Sequence, residues 1–396
     1  MTFPKTKLLG ELAEVLRGTT ITRKQVTPGD VPVIAGGKTP SCSHNISNRS
    51  GETITVSASG AYAGYVQYFN HPIFASDCST IQVKSKDETN TKYLYYALLA
   101  LQNEIYEFQR GSGQPHVYPS QLVNLEIPVP PLPEQHRIVE ILEDHLSRLD
   151  AALADVKQAK VKAAQFRRSL LQAAFTGNLG SDGTRLMTQI PNGWRTKTLK
   201  DWGMDAQSGF ASGAHNSENK GIIHLRPMNI SRLGKLDFES YKSVEDDSHR
   251  RIVKGDILFN NTNSAELVGK TTLIDIDGEF AYSNHMTRLR FPVEEVAHKY
   301  MSILLHSLWM SGYFNEICSN HVNQASVSIK RLEQVEVSLP PLPEQHRIVE
   351  ILEDHLSRLD ASIALADAME KQSAGLRRSL LQAAFTGQLT KEVASV

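Results

Sequence analysis

One long stretch of this chain occurs twice, and the repeat constrains the fold more than any other feature of the sequence. Residues 130–151 read PPLPEQHRIVEILEDHLSRLDA, and residues 340–361 repeat them letter for letter, 210 positions later. The segment RRSLLQAAFTG recurs with the same offset at residues 167–177 and 377–387. Because the offset is constant, each copy is one element without insertions, and the chain has a duplicated architecture.

Each copy has the start and stop signals of one long helix. Pro130, Pro131 and Pro133 require an extended approach, and Pro133 suits the first helical position, where its missing N–H is harmless. Gly177 and Gly387 are placed to take the left-handed conformation just past the helix end. Helices of roughly 40 residues would be about 60 Å long. Apolar residues at alternating steps of four and three form a coiled-coil seam: Leu142, Leu146, Leu149, Leu153 and Val156, then Leu352, Leu356, Leu359 and Ile363.

The two helices are predicted to pack on each other. A helix this long cannot bury its seam on one small domain, and the second helix leads back toward the N-terminus, so the pair should be antiparallel. The predicted fold class is α+β, with two similar mixed α/β domains joined by two long antiparallel coiled-coil helices in a pseudo-twofold internal repeat. The predicted segments are residues 1–129 and 179–339 for the domains, 130–178 and 340–388 for the helices, and 389–396 for a C-terminal tail.

The composition is that of an ordinary globular protein. A chain of 396 residues with 40% hydrophobic content can bury two cores of about 100–150 residues each. The cysteines Cys42, Cys78 and Cys318 are scattered, which argues against a disulfide framework and a structural zinc site. Residues 1–7 are too short and polar for a signal peptide, and no apolar run approaches the ~20 residues of a membrane span. We therefore expect a cytoplasmic protein without a membrane partner.

The charge balance argues against nucleic-acid binding by bulk electrostatics. The formal net charge is −1. Residues 1–129 hold 11 Lys and Arg against 10 Asp and Glu, and residues 184–339 hold 18 against 18. Any affinity for DNA must therefore come from a local face or from the charge of a partner.

The two domains are predicted to share a fold although their sequences differ. Residues 256–259 match the central strand at residues 54–57, and Val268-Gly269-Lys270 takes the place of Ala63-Gly64-Tyr65. Residues 76–80 align with 283–287, and at the offset of 210 Gln114 falls on Gln324 and Leu122 on Leu332. In the first domain the sequence also predicts a hairpin at residues 60–66, a helix at 93–108 and a strand at 125–129. The near-identical helices therefore indicate one structural or binding requirement that both copies share, whereas the diverged domains indicate a different requirement for each domain.

This order of parts resembles the specificity subunit of type I restriction-modification enzymes. A PLPEQHRIV helix follows each domain, GSGQPHV occupies residues 111–117, and GDILFNNTNSAELVGK occupies residues 255–270. The resemblance covers essentially the whole chain. It implies that each domain is a target recognition domain that reads one half of a split site in double-stranded DNA. It also implies that the paired helices set the gap and dock two methyltransferase subunits.

The same resemblance implies a chain without catalysis of its own. Restriction subunits with translocase and nuclease activity would be further partners, and S-adenosylmethionine, ATP and Mg²⁺ would bind only to partner subunits. The residues agree with this. Gly269-Lys270-Thr271 resembles the end of a phosphate loop, but Ser264 occupies the place of its first glycine. Glu218-Asn219-Lys220 resembles part of a nuclease site but lacks a paired acid, and no Asn-Pro-Pro-aromatic or Asp-Pro-Pro-aromatic tetrad is present.

Base edges are read by polar side chains on irregular or glycine-flanked segments. Each such residue taken singly is more often a solvated loop residue than a base contact. In the first domain the candidates for DNA binding are Arg17, Lys38, His44, Asn45, Ser57, Tyr62, Tyr65, Ser112, Gln114 and His116. In the second domain they are Asn260, Asn261, Thr262, Asn263, Lys270, Asn320, His321, Asn323 and Gln324.

The helices carry identical charges in both copies, although solvated faces rarely need identical charges. We therefore expect two copies of one partner to dock on equivalent faces. The candidate docking residues are Arg137, Glu140, Glu143, Asp144 and Arg148, with Arg347, Glu350, Glu353, Asp354 and Arg358.

Two alternatives from other classes remain open at this point. The first is a nuclease or methyltransferase with an unrecognised site, which would modify DNA without partners. The second is a scaffold that spaces two binding domains for ligands other than DNA, which would show no sequence-dependent DNA binding.

Overall fold

Each copy of the repeat forms one unbroken helix of 44 residues. The helices are Leu132–Phe175 and Leu342–Phe385. Both begin one residue before the expected proline, so Pro133 is the second helical residue, and Gly387 has the expected left-handed conformation with φ of 72°. The computed structural model describes residues 5–109, 114–176, 192–245, 250–321 and 324–389. The prediction for Gly177 lies outside these residues.

The chain forms two units, which divide within the long helices. The first unit comprises residues 1–157 and 366–396, and the second comprises residues 158–365. Each unit therefore contains one of the predicted domains, the beginning of one long helix and the end of the other. Among the described residues, no helix is long and apolar enough to cross a lipid bilayer.

The domain of the first unit is mixed α and β, as expected. The predicted helix at 93–108 is two helices that meet at Leu101, and the predicted strand at 125–129 is shorter. The elements in chain order are β1 (Thr6–Leu8), α1 (Leu9–Leu12), β2 (Ala13–Arg17), β3 (Val31–Ile34), β4 (Cys42–His44), β5 (Thr53–Ser57), β6 (Val66–Phe69), β7 (Phe74–Ala75), β8 (Cys78–Val83), α2 (Thr91–Ala100), α3 (Gln102–Glu107), α4 (Pro119–Leu122), β9 (Glu126–Pro128) and the long helix α5 (Leu132–Phe175).

Three sheets form the first unit's β structure. The main sheet has the strand order β2-β8-β5-β6, a smaller sheet has the order β4-β3-β7, and β1 pairs with β9. The central strand β5 is buried along its whole length, and its β-branched Ile54 and Val56 belong to the hydrophobic core. Helix α2 begins at Asn90, whose side chain accepts a hydrogen bond from the N–H of Tyr93.

The second unit repeats this plan with additional strands. Its elements in chain order are β10 (Arg195–Thr198), β11 (Asp205–Ser208), β12 (Ile222–Leu225), β13 (Ser243–Val244), β14 (Ile252–Val253), β15 (Ile257–Asn260), β16 (Thr262–Asn263), β17 (Thr271–Leu273), β18 (Glu279–Tyr282), β19 (Met286–Arg290), α6 (His298–Met310), α7 (Tyr313–Ile317), β20 (Ser319–His321), β21 (Gln324–Ser326), α8 (Ile329–Glu333), β22 (Glu336–Leu339) and the long helix α9 (Leu342–Phe385).

Strand order makes the correspondence between the domains explicit. The sheet β11-β19-β15-β17 matches β2-β8-β5-β6, the sheet β13-β12-β18-β14 extends β4-β3-β7 by one strand, and β10 pairs with β22 as β1 does with β9. A further sheet, β16-β21-β20, is described only in the second unit.

Hydrogen bonds test the predicted alignment residue by residue. The N–H of Gly64 bonds the carbonyl of Ser57 at 2.8 Å, and the N–H of Gly269 bonds that of Asn260 at 2.8 Å, which confirms the match of the two glycine turns. Ser57 therefore corresponds to Asn260, so the predicted match of residues 256–259 with 54–57 is wrong by one residue. The predicted alignment of residues 76–80 with 283–287 holds at its first residue but is wrong farther on. Strand pairing places Ser79 opposite Arg17 and Thr287 opposite Ser208, so the offset grows by one residue in the loop before β19.

The long helices pair within each unit through the same residues of the repeat. In the first unit Leu142 and Ile138 of α5 share a core with Leu381 and Ala384 of α9. In the second unit the equivalent Leu352 and Ile348 of α9 share a core with residues 171 and 174 of α5. Because the beginning of one helix meets the end of the other in each unit, the helix segments run antiparallel, as predicted.

Two ion pairs between the long helices also use equivalent residues of the two copies. Arg377 contacts Asp150 in the first unit, and Arg167 contacts Asp360 in the second, so positions 210 residues apart exchange roles. The environments differ. Arg167 is 6% exposed and Asp360 also binds Lys235 at 2.6 Å, whereas the side chain of Arg377 is 41% exposed.

The predicted seam is deeply buried only at its start. Leu142 and Leu352 are fully buried, because they contact the domain of their own unit as well as the partner helix. The later seam residues Leu149, Leu153 and Leu359 are only half-buried. A single partner helix covers one side of a helix and leaves the rest to solvent.

A buried glutamine attaches each helix to its domain. Gln135 is fully buried, its Nε2 donates to the carbonyls of Glu88 and Pro130 at 2.9 Å each, and its Oε1 accepts from the N–H of Asn90 at 2.9 Å. The equivalent Gln345 makes the same three bonds. The amide thus satisfies two carbonyls and one N–H that would otherwise be buried without partners.

Removing this amide should destabilise each unit to the same extent. We expect Gln135→Ala and Gln345→Ala each to lower the free energy of unfolding by about 3 kcal/mol, because each leaves buried backbone groups unsatisfied. Urea unfolding measures this. The matched control is Gln158→Ala on the exposed side of α5, which should change stability little; a similar loss in the control would contradict the role of the buried amide.

The two ion pairs should differ in their contribution to stability. Asp360→Asn leaves Arg167 as an uncompensated buried cation, so we expect a loss of about 3 kcal/mol. Asp150→Asn removes an exposed pair and should cost less than about 1 kcal/mol. Thermal or urea unfolding of the two single variants decides the point, and equal losses would show that burial of Arg167 does not matter.

Candidate nucleic-acid interface

In the first unit, two segments meet beyond the end of the central strand β5. The N–H of Val117 bonds the carbonyl of Ala58 at 3.0 Å, and the N–H of Gly60 bonds the carbonyl of Pro115 at 3.1 Å. Ser59 and His116 form an isolated β-bridge. The hairpin turn after β5 is therefore joined to the segment that begins at Gln114. We call this region the first edge.

The first edge presents a cation between two aromatic rings. Lys38 Nζ lies 5.0 Å from the ring centroid of Tyr62 and 5.2 Å from that of Tyr65. The Nε2 of Gln67 donates to the carbonyl of Lys38 at 2.7 Å and so fixes the backbone there. Tyr62 is 44% exposed. Such a group can contact a phosphate through the ammonium and a base or sugar through a ring.

Other predicted residues of the first unit are exposed or half-buried. His116 is half-buried, with its ring stacked on that of Tyr118 at 6.0 Å, and Gln114 is exposed. Arg17 lies at the end of β2, with its guanidinium 4.0 Å from the carboxylate of Asp77 and its side chain 56% exposed. Asn45 is exposed.

The second unit has an equivalent edge beyond the end of β15. The N–H of Val327 bonds the carbonyl of Asn261 at 2.9 Å, as Val117 bonds Ala58, and Thr262 pairs with Ser326 across β16 and β21. Gln324 therefore occupies the place of Gln114, as the offset of 210 predicts. Thr262 and Asn263 are half-buried, while Asn320 and Gln324 are exposed. We call this region the second edge.

Two predicted residues of the first unit are not on its surface. His44 is 5% exposed, and its Nδ1 lies 3.1 Å from the backbone N of Thr27 and 3.0 Å from the carbonyl oxygen of that residue. Ser57 is 4% exposed, and its hydroxyl donates to the carbonyl of Ser59. These polar groups support the loops, so the prediction that they are presented for base contact is wrong for this arrangement.

Three predicted residues of the second unit are likewise structural. Asn260 is fully buried and donates to the carbonyl of Leu267, and Asn261 donates to Thr287 Oγ1 at 2.8 Å. The Nζ of Lys270 is enclosed by the carbonyls of residues 227 and 230, and burial lowers the pKa of this lysine. The polar run that looked densest in the sequence thus contributes mainly to the interior, because it continues a central strand.

Three further predicted residues cannot be placed. Ser112 and Asn323 lie outside the described residues. His321 is described only through its backbone, at the end of β20.

The charged residues predicted for partner docking have several contacts inside their own units. Glu143 binds Lys92 at 2.6 Å in the first unit, and Glu353 binds Lys299 at 3.1 Å in the second. These two glutamates therefore hold the helix to its own domain, which explains their identity without a partner. A charge reversal at both would also weaken the contact of each helix with its own domain, so it would not test partner docking alone.

Several of the other charged residues predicted for docking are more exposed to solvent. Arg148 pairs with Asp144 at 3.0 Å and Arg358 with Asp354 at 2.9 Å, each one helical turn apart, and the arginine side chains are 76% exposed. Glu140 and Glu350 are also exposed, whereas Arg137 and Arg347 are half-buried, and Arg347 binds Glu344. The identical exposed charges remain candidates for docking.

The sequence did not single out the buried glutamine of the repeat. Gln135 and Gln345 stand in letter-identical surroundings, PLPEQ, where only their charged neighbours suggested function. A polar residue kept next to a helix start in both copies was the available signal. In the described part of the chain, no group of three or more His, Cys, Asp or Glu side chains is arranged to hold a metal ion.

Comparison with known proteins places this geometry in a family. The model of the type I restriction modification DNA specificity domain matches residues 5–161 and again residues 191–365. The chain is similar to the StySPI specificity subunit of Salmonella potsdam, with 27% identity over 310 residues, 73% of this chain and 63% of that relative. It is 24% identical over 355 residues to the EcoBI specificity subunit of Escherichia coli, covering 82% of this chain and 72% of the relative.

Solved structures support the same fold. The chain matches a subunit of a type I R-M system, solved in work on complex assembly and conformational transition, with a TM-score of 0.76 and 18% identity over 98% of this chain and 99% of that one. It matches the HsdS subunit from Thermoanaerobacter tengcongensis with a TM-score of 0.58 and 19% identity, covering 98% and 97%. Because the family model matches both domains and most of the two helices, the chain belongs to the type I restriction modification DNA specificity family.

Proposed function

We propose that this chain is the DNA-reading specificity subunit of a type I restriction-modification system. Each unit contacts one half of a bipartite site in double-stranded DNA through its edge, and the long helices set the gap between the half-sites. The observation that carries this proposal is the match of the specificity-domain family to each of the two domains separately.

The side chains of the two edges support this division of work. Equivalent backbone positions carry His116 in the first unit but Ser326 in the second. Since base edges are distinguished by the donors and acceptors that meet them, two edges with different side chains would read different sequences. The shared backbone framework would present each half-site in the same way.

The chain itself carries no catalysis in this proposal. Two methyltransferase subunits and the restriction subunits supply the reactions, and S-adenosylmethionine, ATP and Mg²⁺ bind to those partners. The chain then acts in the cytoplasm, where the DNA is. An enzyme with an unrecognised site is a weaker alternative, since the family model that matches both domains is that of a DNA specificity domain.

Each edge should control one half of the methylated sequence. We expect Asn320→Ala with Gln324→Ala to relax the half read by the second unit and to leave the other half unchanged. Lys38→Ala with Tyr62→Ala should do the reverse. Each lost base contact should cost about 1–3 kcal/mol of discrimination.

The measurement is sequencing of methylated adenines in cells that express each variant with its methyltransferase partner. Lys254→Ala serves as the control, because this exposed lysine pairs with Asp277 and lies in neither edge. Relaxation of both halves by one double variant would contradict independent reading by the units.

Partner docking should depend on the exposed charges rather than on the glutamates bound to each domain. We expect Arg148→Glu with Arg358→Glu to weaken association with the methyltransferase subunit. The reversal replaces a cation by an anion on both equivalent faces, so a partner surface that is complementary to the cations would be repelled. Size-exclusion chromatography of the mixed subunits measures assembly.

The paired control is Lys157→Glu with Lys371→Glu, which reverses exposed cations farther along the same helices. Circular dichroism and unfolding curves verify that all variants are folded. Full assembly of the Arg148 and Arg358 variant would show that this face does not bind the partner.

A further inference from the structure

The smaller sheet of the second unit gathers cationic side chains on one face. Strand β12 contains His224, and Arg226 follows two positions later, so both side chains project to the same side. The N–H of His224 bonds the carbonyl of Lys242 at 2.8 Å, which places Lys242 opposite it on the neighbouring strand. His224, Arg226 and Lys242, together with His215, form what we call the cationic cluster.

The two histidines are linked directly. His215 Nε2 lies 2.8 Å from His224 Nδ1, and the ring of Phe210 lies 4.8 Å from that of His224. Burial, followed by the nearby His215, lowers the pKa of His224 to about 4. The pKa of His215 is lowered by burial and then by the charges of Arg226 and Lys242, which therefore lie close to it. Both imidazoles are neutral at pH 7. Because their mutual hydrogen bond uses one N–H and one ring lone pair, the two rings together have one N–H left to donate.

One buried donor of the cluster has no partner among the described residues. The Nε of Arg226 is buried there without a hydrogen-bond acceptor. His224 is 1% exposed, and its ring lies against His215 and the backbone of Phe210 and Tyr282. Within the same part of the chain, neither Arg226 nor Lys242 forms an ion pair with an acid. Buried donors without acceptors are costly, so the arrangement is suited to an anionic ligand.

The first unit shows that the fold does not require these residues. Val33 pairs with Cys42 and runs parallel to β7, as His224 lies opposite Lys242 and runs parallel to β18. The N–H of Ser76 bonds Ile34 and that of Ser283 bonds Leu225, which fixes the register. The first unit therefore has Val33, Ala35 and Cys42 where the second has His224, Arg226 and Lys242. Apolar and neutral residues build the same sheet.

We propose that the cationic cluster of the second unit binds a phosphate group of the DNA backbone. The inference rests on the proposed function and adds a contact that carries no sequence information. Arg226 and Lys242 supply the charge. His215 lies beside them, and the buried His224 holds its ring in place through their mutual hydrogen bond. Residues 184–339 hold equal numbers of acidic and basic residues, so a local cluster without acids is the kind of surface that a polyanion requires.

Salt dependence of DNA binding tests the proposal. The full chain, alone and with its methyltransferase subunits, is titrated with a fluorescent mixed-sequence duplex of about 40 base pairs over a series of salt concentrations. Each phosphate contact contributes about 0.9 to the slope of log affinity against log salt. We expect Arg226→Ala and Lys242→Ala each to reduce the slope by up to about 0.9, the contribution of the one phosphate that they share, and to weaken binding equally for duplexes of different sequence.

Two variants separate the phosphate contact from a structural effect. Arg226→Lys keeps the charge and should retain most of the slope. Lys254→Ala removes an exposed cation elsewhere in the second unit and should leave the slope unchanged. An equal loss of slope in Lys254→Ala would mean that only the total charge matters, and this result would contradict the proposed site.

Inorganic phosphate distinguishes the source of the anion. At constant ionic strength, phosphate should compete with DNA only weakly. If Arg226→Ala abolished phosphate binding and left the DNA slope unchanged, the cluster would be a site for free phosphate, and the assignment to DNA would be wrong. If the wild-type chain bound no DNA, the proposed function would fail as well, whereas DNA binding with unchanged slopes in both alanine variants would overturn only this inference.

Discussion

The buried amide at the start of each long helix determines where a recognition domain is held. Gln135 and Gln345 each bond two carbonyls and one N–H, and one carbonyl in each set belongs to the proline before the helix. The amide therefore fixes the helix start and the adjoining domain loop together. No charged side chain could replace it without a buried charge, and no apolar side chain could satisfy the three backbone groups.

This attachment explains why the helices are nearly identical while the domains have diverged. Residues of each copy pack against the other copy and against a domain, so a change at Leu142 or Arg167 affects two surfaces. The same residue pairs are used once in each unit, as the contacts Arg377 to Asp150 and Arg167 to Asp360 show. A substitution in one copy would break a contact that the other copy still requires.

Sequence reasoning predicted those parts of the fold that depend on periodicity and on the constant offset. The helices, their antiparallel pairing, the glycine turns and the match of Gln114 with Gln324 all follow from spacing alone. It was wrong where one inserted residue shifted the register before β19, because a single insertion leaves no periodic signal. It also took Asn260 and Asn261 for surface residues, since an asparagine that bonds backbone inside a sheet cannot be distinguished from a loop asparagine by its letter.

The candidate site is harder to predict than the fold for a related physical reason. Whether Lys270 contacts DNA or fills the interior depends on the carbonyls around it, and these come from residues 227 and 230, far away in sequence. The cationic cluster was missed likewise, because His215, His224 and Lys242 become neighbours only through strand pairing. Long-range pairing decides which polar groups remain free, and local sequence does not contain it.

The equivalent edges show how one framework can support two specificities. Gly18 and Gly209 each bring their backbone against neighbouring carbonyls, where a Cβ would lie 2.2 Å from the oxygen of Ser76 or 2.1 Å from that of Tyr282. A side chain at either glycine would push the strand off its neighbour. The backbone at this end of each domain is thus constrained in the same way, and the exposed side chains beyond it are not. Sequence divergence is therefore least restricted at the two edges. A different side chain there changes the DNA bases that are contacted without changing the backbone that holds the side chain.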